Sequence, residues 1–200
     1  MNGKASIACF LAILGAALLQ ALPASGSSLG LAEATLAAPF ETEIDEQLLD
    51  GAVGMEWDDA SRHELEIGGY PTEVLLKHDG EHFYIAMVIH VGQPFAGGFE
   101  AFVFFDNGDG IDYSSGDDML VVAVSDGTAI DADFYYRGTY DFCLDAQAGG
   151  GSDAIGAGLY DSSAGCYVFE FRRLIASGDA RDVELPLGEA FSAAYGWSGY

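Results

Sequence analysis

The stretch EVLLKHDGEHFYIAMVIHV, residues 73–91, predicts the fold class. Two apolar runs flank the Asp79–Gly80 pair, and Asp-Gly between such runs is a strong signal for a β-hairpin. In the second run, His82–Val91, both alternating faces are mostly apolar. That pattern predicts a central strand, or a strand with one face on a pocket. The hairpin therefore indicates a β protein.

Further strand-like segments follow, separated by turns that contain Gly and Asp. They are Phe99–Phe105, Met119–Ser125, Asp133–Leu144, Gly165–Ile175, Val183–Leu187 and Ala190–Tyr195. The glycine-rich segment Gln147–Gly158 predicts an exposed loop. Because helical periodicity is essentially absent, we predict an all-β fold, an antiparallel β-sandwich of immunoglobulin-like or jelly-roll-like type over residues 49–200. A β-barrel is the alternative.

The N-terminus has the pattern of a secretory signal peptide. Lys4 precedes the apolar run Ile7–Leu22, and small residues follow up to Gly26. We expect a signal peptide over residues 1–26, with an uncleaved anchor as the alternative, and a flexible lead-in over residues 27–48. The mature chain would then have no membrane span and would be secreted, periplasmic or held at the cell surface.

Export would place Cys143 and Cys166 in an oxidising compartment. We therefore predict a disulfide between Cys143 and Cys166. It would close a loop of about 24 residues and stabilise the domain by about 3 kcal/mol. Two buried free thiols are the alternative.

The charge balance excludes one class of partner. The formal net charge is −25, whereas nucleic-acid binding demands basic patches. Anionic membrane surfaces would also repel the domain. The acidity favours cation uptake, and it equally resembles the surface of a halophilic protein.

The segment FFDNGDGIDYSSGDD, residues 104–118, concentrates oxygen donors in a loop between two strands. Such carboxylates need solvent or a hard cation, and Ca²⁺ takes six to eight oxygens. The spacing is not that of an EF-hand, because Gly108 stands at the third position. A solvated acidic turn is the alternative. The candidate ligands are Asp106, Asn107, Asp109, Asp112, Asp117 and Asp118.

No hydrolase or phosphate-binding motif is present, so we expect a protein that is not an enzyme. Glu100 and Glu170 are the fairest candidates for catalytic carboxylates, because they lie in aromatic-rich strands. Met87, Met119 and His90 are candidate haem ligands, with core packing as the alternative for each. Met87 and His90 lie on opposite faces of one strand, so they cannot serve the same iron.

Several motifs together resemble the DOMON-like group of β-sandwiches. They are Asp50–Gly51 with Glu56–Trp57, Lys77–Glu81 with Tyr84–Ala86, Phe104–Asp106 with Gly116–Asp118, and Phe169–Arg172 with Ser177–Asp179. Over about residues 50–197 the chain most resembles the haem-binding domain of the ethylbenzene dehydrogenase gamma subunit and related cytochromes. It is also similar to family 9 carbohydrate-binding modules.

The resemblance implies an exported, non-catalytic ligand-binding domain. In the dehydrogenase-type members a b-type haem, ligated by a methionine and a lysine or histidine, serves electron transfer beside a redox enzyme subunit. The carbohydrate modules bind sugars on aromatic faces and hold a structural calcium ion. The ligand expected here is therefore haem, another small molecule or a glycan. Candidate aromatic faces are Trp57, Trp197, Tyr135, Tyr136 and Tyr140.

Overall fold

The computed structural model describes residues 30–34, 49–106, 115–138, 141–185 and 191–199. Those residues form two antiparallel sheets, one short α-helix, α1 (Asp145–Ala148), and a 3₁₀ turn at Met55–Trp57. The predicted all-β sandwich is confirmed at this level. In the part of the chain described, no helix is long and apolar enough to cross a membrane. The strands are β1 (Gly30–Ala34), β2 (Ser61–Ile67), β3 (Tyr70–His78), β4 (His82–His90), β5 (Phe99–Phe105), β6 (Asp118–Ser125), β7 (Thr128–Gly138), β8 (Asp141–Leu144), β9 (Ile155–Asp161), β10 (Cys166–Leu174) and β11 (Phe191–Gly199).

The strand order defines the two layers. The six-stranded sheet runs β1-β11-β5-β6-β7-β8, and the five-stranded sheet runs β2-β3-β4-β10-β9. Strand β1 pairs antiparallel with β11, so the first sheet reaches back into the segment for which the sequence predicted a flexible lead-in. The predicted signal peptide, residues 1–26, lies outside the described residues.

The hairpin predicted around Asp79–Gly80 is confirmed as β3–β4. Its turn is built by Asp79, whose Oδ1 accepts hydrogen bonds from the backbone N–H groups of Glu81 and His82 at 2.8 and 2.5 Å. Gly80 follows with φ of 92°, a left-handed conformation that favours glycine. Strand β4 lies between β3 and β10, which confirms that it is central and explains its two apolar faces.

The glycine-rich segment was wrongly predicted as a loop throughout, because its last four residues, Ile155–Gly158, belong to β9. A Cβ atom on Gly156 would lie 2.1 Å from Cγ2 of Val122, and one on Gly158 would lie 2.7 Å from Cγ2 of Val124. The glycines therefore allow β9 to approach β6 in the opposite sheet closely. Two further predictions differ: β2 lies in a segment where we predicted no strand, and Val183–Leu185 is not a strand.

Apolar side chains fill the space between the sheets. The inner face of β4 contributes Phe83, Ile85, Met87 and Ile89, which are at most 3% exposed. The outer face of the same strand, with Tyr84, Ala86 and Val88, is buried as well, against Trp57 and its neighbours. The middle of the five-stranded sheet is therefore packed on both sides.

The outer cover is residues 49–60, which we call the strap. Trp57 is 0% exposed, and its Nε1 donates to Oε1 of the buried Glu170 at 2.9 Å. The backbone N–H of Gly51 donates to Oε2 of Glu170 at 2.7 Å. Lys77 donates to the backbone oxygen of Glu56, and its Nζ lies 5.3 Å from the centroid of the Trp57 ring. Glu170 and Lys77 thus fasten the strap to the sheet.

The predicted disulfide is not formed, and both cysteines are free. Cys143 lies in β8, at one edge of the six-stranded sheet. Cys166 is buried at the start of β10 in the other sheet, packed beneath the strap with Val88 and Val168. The sequence placed both residues in strands, but it did not reveal that these strands belong to different sheets.

Candidate metal centre

One end of the sandwich interior contains carboxylates instead of apolar side chains. Asp118 is the first residue of β6, and Asp133 lies in β7, opposite Leu120 of β6. Side chains alternate between the faces of a strand, so Asp118, Leu120 and Asp133 all point to the inner face. Asp118 is 1% exposed and Asp133 is 3% exposed. Two adjacent strands therefore bring two carboxylates into the interior.

A third carboxylate comes from the segment that follows β10. Asp182 offers an oxygen to the same space, and ligand atoms of Asp118, Asp133 and Asp182 all lie within 4.8 Å of one another. We call these three residues the carboxylate triad. Two of them belong to the six-stranded sheet, and the third is attached to the five-stranded sheet. The triad therefore lies where the two layers meet.

Arg173 holds the segment of Asp182 in place. Its guanidinium donates to Asp118 and, through Nη2, to the backbone oxygen of Val183 at 2.7 Å. The group also stacks on Phe105, with Cζ 4.8 Å from the ring centroid. Arg173 is 2% exposed, so it supplies one buried positive charge to a site with three carboxylates. Formal negative charge remains in excess.

Asp133 is the least satisfied member of the triad. Both of its carboxylate oxygens are buried, and neither has a hydrogen-bond partner. A buried charge without partners is costly, so such a group either takes up a proton or meets a cation. Oδ2 of Asp182 is also buried and without a partner. The triad thus presents several oxygens that the protein itself does not use.

The pKa values show the same excess of negative charge. Burial, Asp118 and Asp182 raise the pKa of Asp133 to about 8. Burial also raises the pKa of Asp118 to about 7, although Arg173 opposes the shift. The pKa of Asp182 is raised too, with burial as the largest cause. Without a metal ion, the triad would therefore hold protons near neutral pH.

Asp145, the first residue of α1, adds to the negative potential. It is 2% exposed, and neither of its carboxylate oxygens has a hydrogen-bond partner. Burial and the nearby Asp182, Asp179 and Asp153 raise the pKa of Asp145 to about 6. Asp145 is not part of the triad, but its charge also favours a cation at this end.

The donor set suits a hard divalent cation. Carboxylate oxygens are the ligands of Ca²⁺, which binds them at about 2.3–2.6 Å, so opposing ligands lie about 4.6–5.2 Å apart. The separations within the triad, up to 4.8 Å, are compatible with oxygens surrounding one such ion. Mg²⁺ requires near-octahedral geometry and gives up its water reluctantly, so a buried site made of protein carboxylates suits it less well. The site could hold Ca²⁺, with water completing the coordination.

Only one of the six predicted metal ligands, Asp118, is in the triad. Asp106 and Asp117 lie on either side of the acidic loop, and neither belongs to the triad. Asn107, Asp109 and Asp112 lie outside the described residues. Sequence reasoning missed Asp133 and Asp182. A signal existed for Asp133, because alternation in the strand preceding Tyr135 places its carboxylate on the inner face.

The candidate haem ligands are not brought together. Met87 is 0% exposed in the core between the sheets. Met119 packs on the other face of the six-stranded sheet, where the Tyr136 hydroxyl donates to its Sδ at 3.8 Å. His90 is exposed at the end of β4, on the face opposite Met87. These residues do not fit a shared pair of axial ligands.

The other candidate side chains are also dispersed. Glu170 lies beneath the strap, whereas Glu100 lies in β5 on the outward face that carries Phe102 and Phe104. The two carboxylates lie on the outward faces of opposite sheets, with the core between them, so they cannot flank one glycosidic bond. The described aromatic candidates Trp57, Tyr135 and Tyr136 are buried. Trp197 is half-buried and donates to the backbone oxygen of Ile67 at 2.8 Å, and Tyr140 lies outside the described residues.

Comparison with known proteins found no matching family model and no matching curated protein sequence.

Proposed function

We propose that this chain is a non-catalytic binding domain whose sandwich is completed by a hard divalent cation, Ca²⁺. The carboxylate triad of Asp118, Asp133 and Asp182 would hold the ion. One observation carries the proposal. Both oxygens of Asp133 are buried without hydrogen-bond partners, and an oxygen of Asp133 lies within 4.8 Å of oxygens of two further carboxylates. A cation would turn this costly arrangement into a stabilising one.

The ion would join parts of the chain that are far apart in sequence. Asp118 and Asp133 come from neighbouring strands of one sheet, and Asp182 comes from the segment that follows β10 of the other. Binding of Ca²⁺ would therefore tie this segment to both layers. Because the unfolded chain lacks the site, the binding free energy would add to the stability of the fold.

The proposal retains the exported, DOMON-like binding role that the sequence resemblance implies. Calcium sites in extracellular modules have dissociation constants of about 10⁻⁴–10⁻³ M. Three carboxylates, one of them shared with Arg173, fit such modest affinity better than a tight buffer site. Neither haem ligation nor sugar stacking has comparable support among the described residues, so we propose neither.

Thermal melting of the full chain tests the proposal. We expect CaCl₂, added after chelator treatment, to raise Tm by about 5–10 °C at 100 times the dissociation constant, corresponding to about 2.7 kcal/mol. MgCl₂ should act more weakly. NaCl at matched ionic strength controls for screening of the net charge of −25.

Two matched variants assign the effect to the triad. Asp133→Asn should abolish the calcium-dependent rise in Tm, because it removes the buried charge that the ion would neutralise. Asp126→Asn removes a carboxylate from the exposed turn between β6 and β7, and it should respond like the parent. Equal calcium responses in the parent and Asp133→Asn would show that the ion does not bind at the triad.

A further inference from the structure

A cavity of about 440 Å³ opens at the other end of β10, on the outer face of the five-stranded sheet. Cys166 marks this end of the strand and Arg173 marks the triad end. Seven residues of extended chain separate them by about 23 Å. The cavity is therefore distinct from the candidate metal centre. Its volume is within the range of about 300–1,000 Å³ that small-molecule sites occupy.

The floor and walls of the cavity are largely apolar. Val88, Val168 and Cys166 of the sheet form the floor and are at most 9% exposed. Ala52 and Val53 of the strap also line the cavity, and so does Leu159 of β9. Leu159 is 46% exposed, although it is a large apolar residue. An apolar group seated here would cover that side chain and remove it from water.

The polar side chains that line the cavity include carboxylates on two sides. Glu73 projects from β3 and Asp161 from β9, with β4 and β10 between them. Ser163 and Ala164 donate hydrogen bonds that lower the pKa of Asp161, so this group is an anion at neutral pH. Glu73 pairs with Arg62 at 3.2 Å, but both side chains are substantially exposed and the pair is therefore weak.

The negative potential of both carboxylates reaches the cavity floor. Burial is the largest cause of the raised pKa of the Cys166 thiol, and Asp161 and Glu73 raise it further. His90 lies directly opposite Cys166 in the β4–β10 ladder and is exposed beside the cavity. Of the described residues that line the cavity, none is Lys or Arg. The site thus combines an apolar floor with a negative rim.

We propose that this cavity binds a small organic cation, a protonated amine that carries one ring or a short apolar chain. The apolar part would lie on Val88 and Val168 and against Leu159. The ammonium group would lie beside the carboxylate of Glu73, and the charge of Asp161, three strands across the sheet, would add to the attraction at longer range. An anion of the same shape would be repelled, and a neutral analogue would gain only the apolar contact.

Three probes of similar shape test the charge preference: 2-phenylethylamine, 2-phenylethanol and phenylacetate. Binding to the full chain is measured by NMR titration in CaCl₂, so that any metal site is filled. We expect the amine to bind at least about fivefold more tightly than the alcohol, a difference of about 1 kcal/mol. Phenylacetate should not bind. Added salt should weaken the binding of the amine but not that of the alcohol, because the charged rim is exposed to solvent.

Variants locate the probe in the cavity. Ala52→Trp places a large side chain at the exposed wall and should abolish binding of amine and alcohol. Glu73→Gln should reduce the affinity for the amine toward that for the alcohol, whereas Glu81→Gln, in the exposed β3–β4 turn, should leave it unchanged. Glu73→Gln keeps the test decisive if Ala52→Trp does not fold.

Equal affinity for the three probes, tighter binding of phenylacetate, or no binding of the amine to folded protein would overturn the proposal. Unchanged amine affinity in folded Glu73→Gln and Asp161→Asn would also overturn it. Asp133→Asn should bind the amine like the parent. The proposal for the cavity and the proposal for the calcium site can therefore be refuted independently of each other.

Discussion

Two buried carboxylates of this sandwich, Glu170 and Asp133, differ in the number of hydrogen bonds that the protein donates to them. Glu170, beneath the strap, accepts hydrogen bonds from Trp57 Nε1 and Gly51 N. Asp133, on the inner face of the six-stranded sheet, accepts no hydrogen bond. Both are at most 3% exposed. Burial alone therefore does not distinguish a structural carboxylate from a candidate ligand, whereas the partners of its oxygens do.

The difference follows from what each carboxylate holds. Glu170 faces a chain segment whose own N–H groups need acceptors, so the side chain and the strap satisfy one another. Asp133 faces other carboxylates, which offer acceptors and no donors unless they are protonated. The first arrangement is complete in itself. The second requires protons or a cation from outside, and this requirement carries the functional proposal.

The largest expected effect comes from removing the satisfied carboxylate. Glu170→Ala should lower the free energy of unfolding by about 3 kcal/mol, because it leaves the Trp57 and Gly51 donors buried without acceptors. Glu170→Gln keeps one acceptor and should lose less. Urea unfolding measures both, with and without CaCl₂. A calcium response that disappears in Glu170→Gln would contradict the separation between the two regions.

The second-largest expected effect is a dependence of the free energy of unfolding on pH when a chelator keeps the protein free of metal. The pKa values of about 7 for Asp118 and about 8 for Asp133 lie above the ordinary 3.8, so the folded protein holds protons that the unfolded chain releases. This stabilisation is complete below about pH 4 and is lost as pH rises through 7 and 8. Between about pH 6.5 and pH 8 we expect a loss of about 2 kcal/mol from these two groups, because one pKa unit corresponds to about 1.4 kcal/mol.

Two comparisons assign this pH dependence. Burial also raises the pKa of Glu170 to about 7, so part of the loss belongs to the strap. The part due to Asp133 should disappear in Asp133→Asn, whereas the part due to Asp118 should remain, because burial and Asp182 raise the pKa of Asp118. Saturating CaCl₂ should reduce the loss as well, because the ion replaces the protons. Identical pH profiles for the parent and Asp133→Asn would remove Asp133 from the explanation.

A smaller effect is that Asp133→Asn should change the free energy of unfolding in opposite directions with and without calcium. In chelator at pH 8, Asp133→Asn should raise the free energy of unfolding by about 1 kcal/mol, because a neutral amide replaces an unpaired buried carboxylate. In saturating CaCl₂ the parent should be the more stable protein. Urea unfolding at pH 8 measures both differences. Lower stability of the variant in chelator would indicate that Asp133 has a partner within the protein.

The sequence predicted the strands better than the environments of their side chains. Asp79–Gly80 and the two apolar faces of β4 are local signals, and both predictions were correct. The cover of the outer face could not be read from β4 itself. It depends on Glu170 meeting Trp57, a contact across 113 positions. Local periodicity carries no information about such a contact.

The candidate site shows the same limit. The density of aspartates drew attention to residues 106–118, yet the triad takes only Asp118 from that segment. Asp133 and Asp182 are unremarkable in so acidic a chain. They become candidate ligands because β7 pairs with β6 and because Arg173 holds the segment after β10 against Asp118. Strand pairing and ion pairing between sheets assemble the site.

The smallest expected effect concerns the two cysteines, one of which lies near the strap and the other near Asp145. Cys166 is packed beneath the strap, and Cys143 lies in β8, next to α1 with Asp145. Both are free, so neither region depends on a covalent link. Dithiothreitol should leave Tm unchanged within about 1 °C, whereas loss of a native disulfide would cost about 2–5 kcal/mol. Cys143→Ser should likewise preserve Tm. A large fall in Tm in both experiments would mean that the cysteines of the two sheets are linked, and the register of β8 and β10 would then have to differ from the one described.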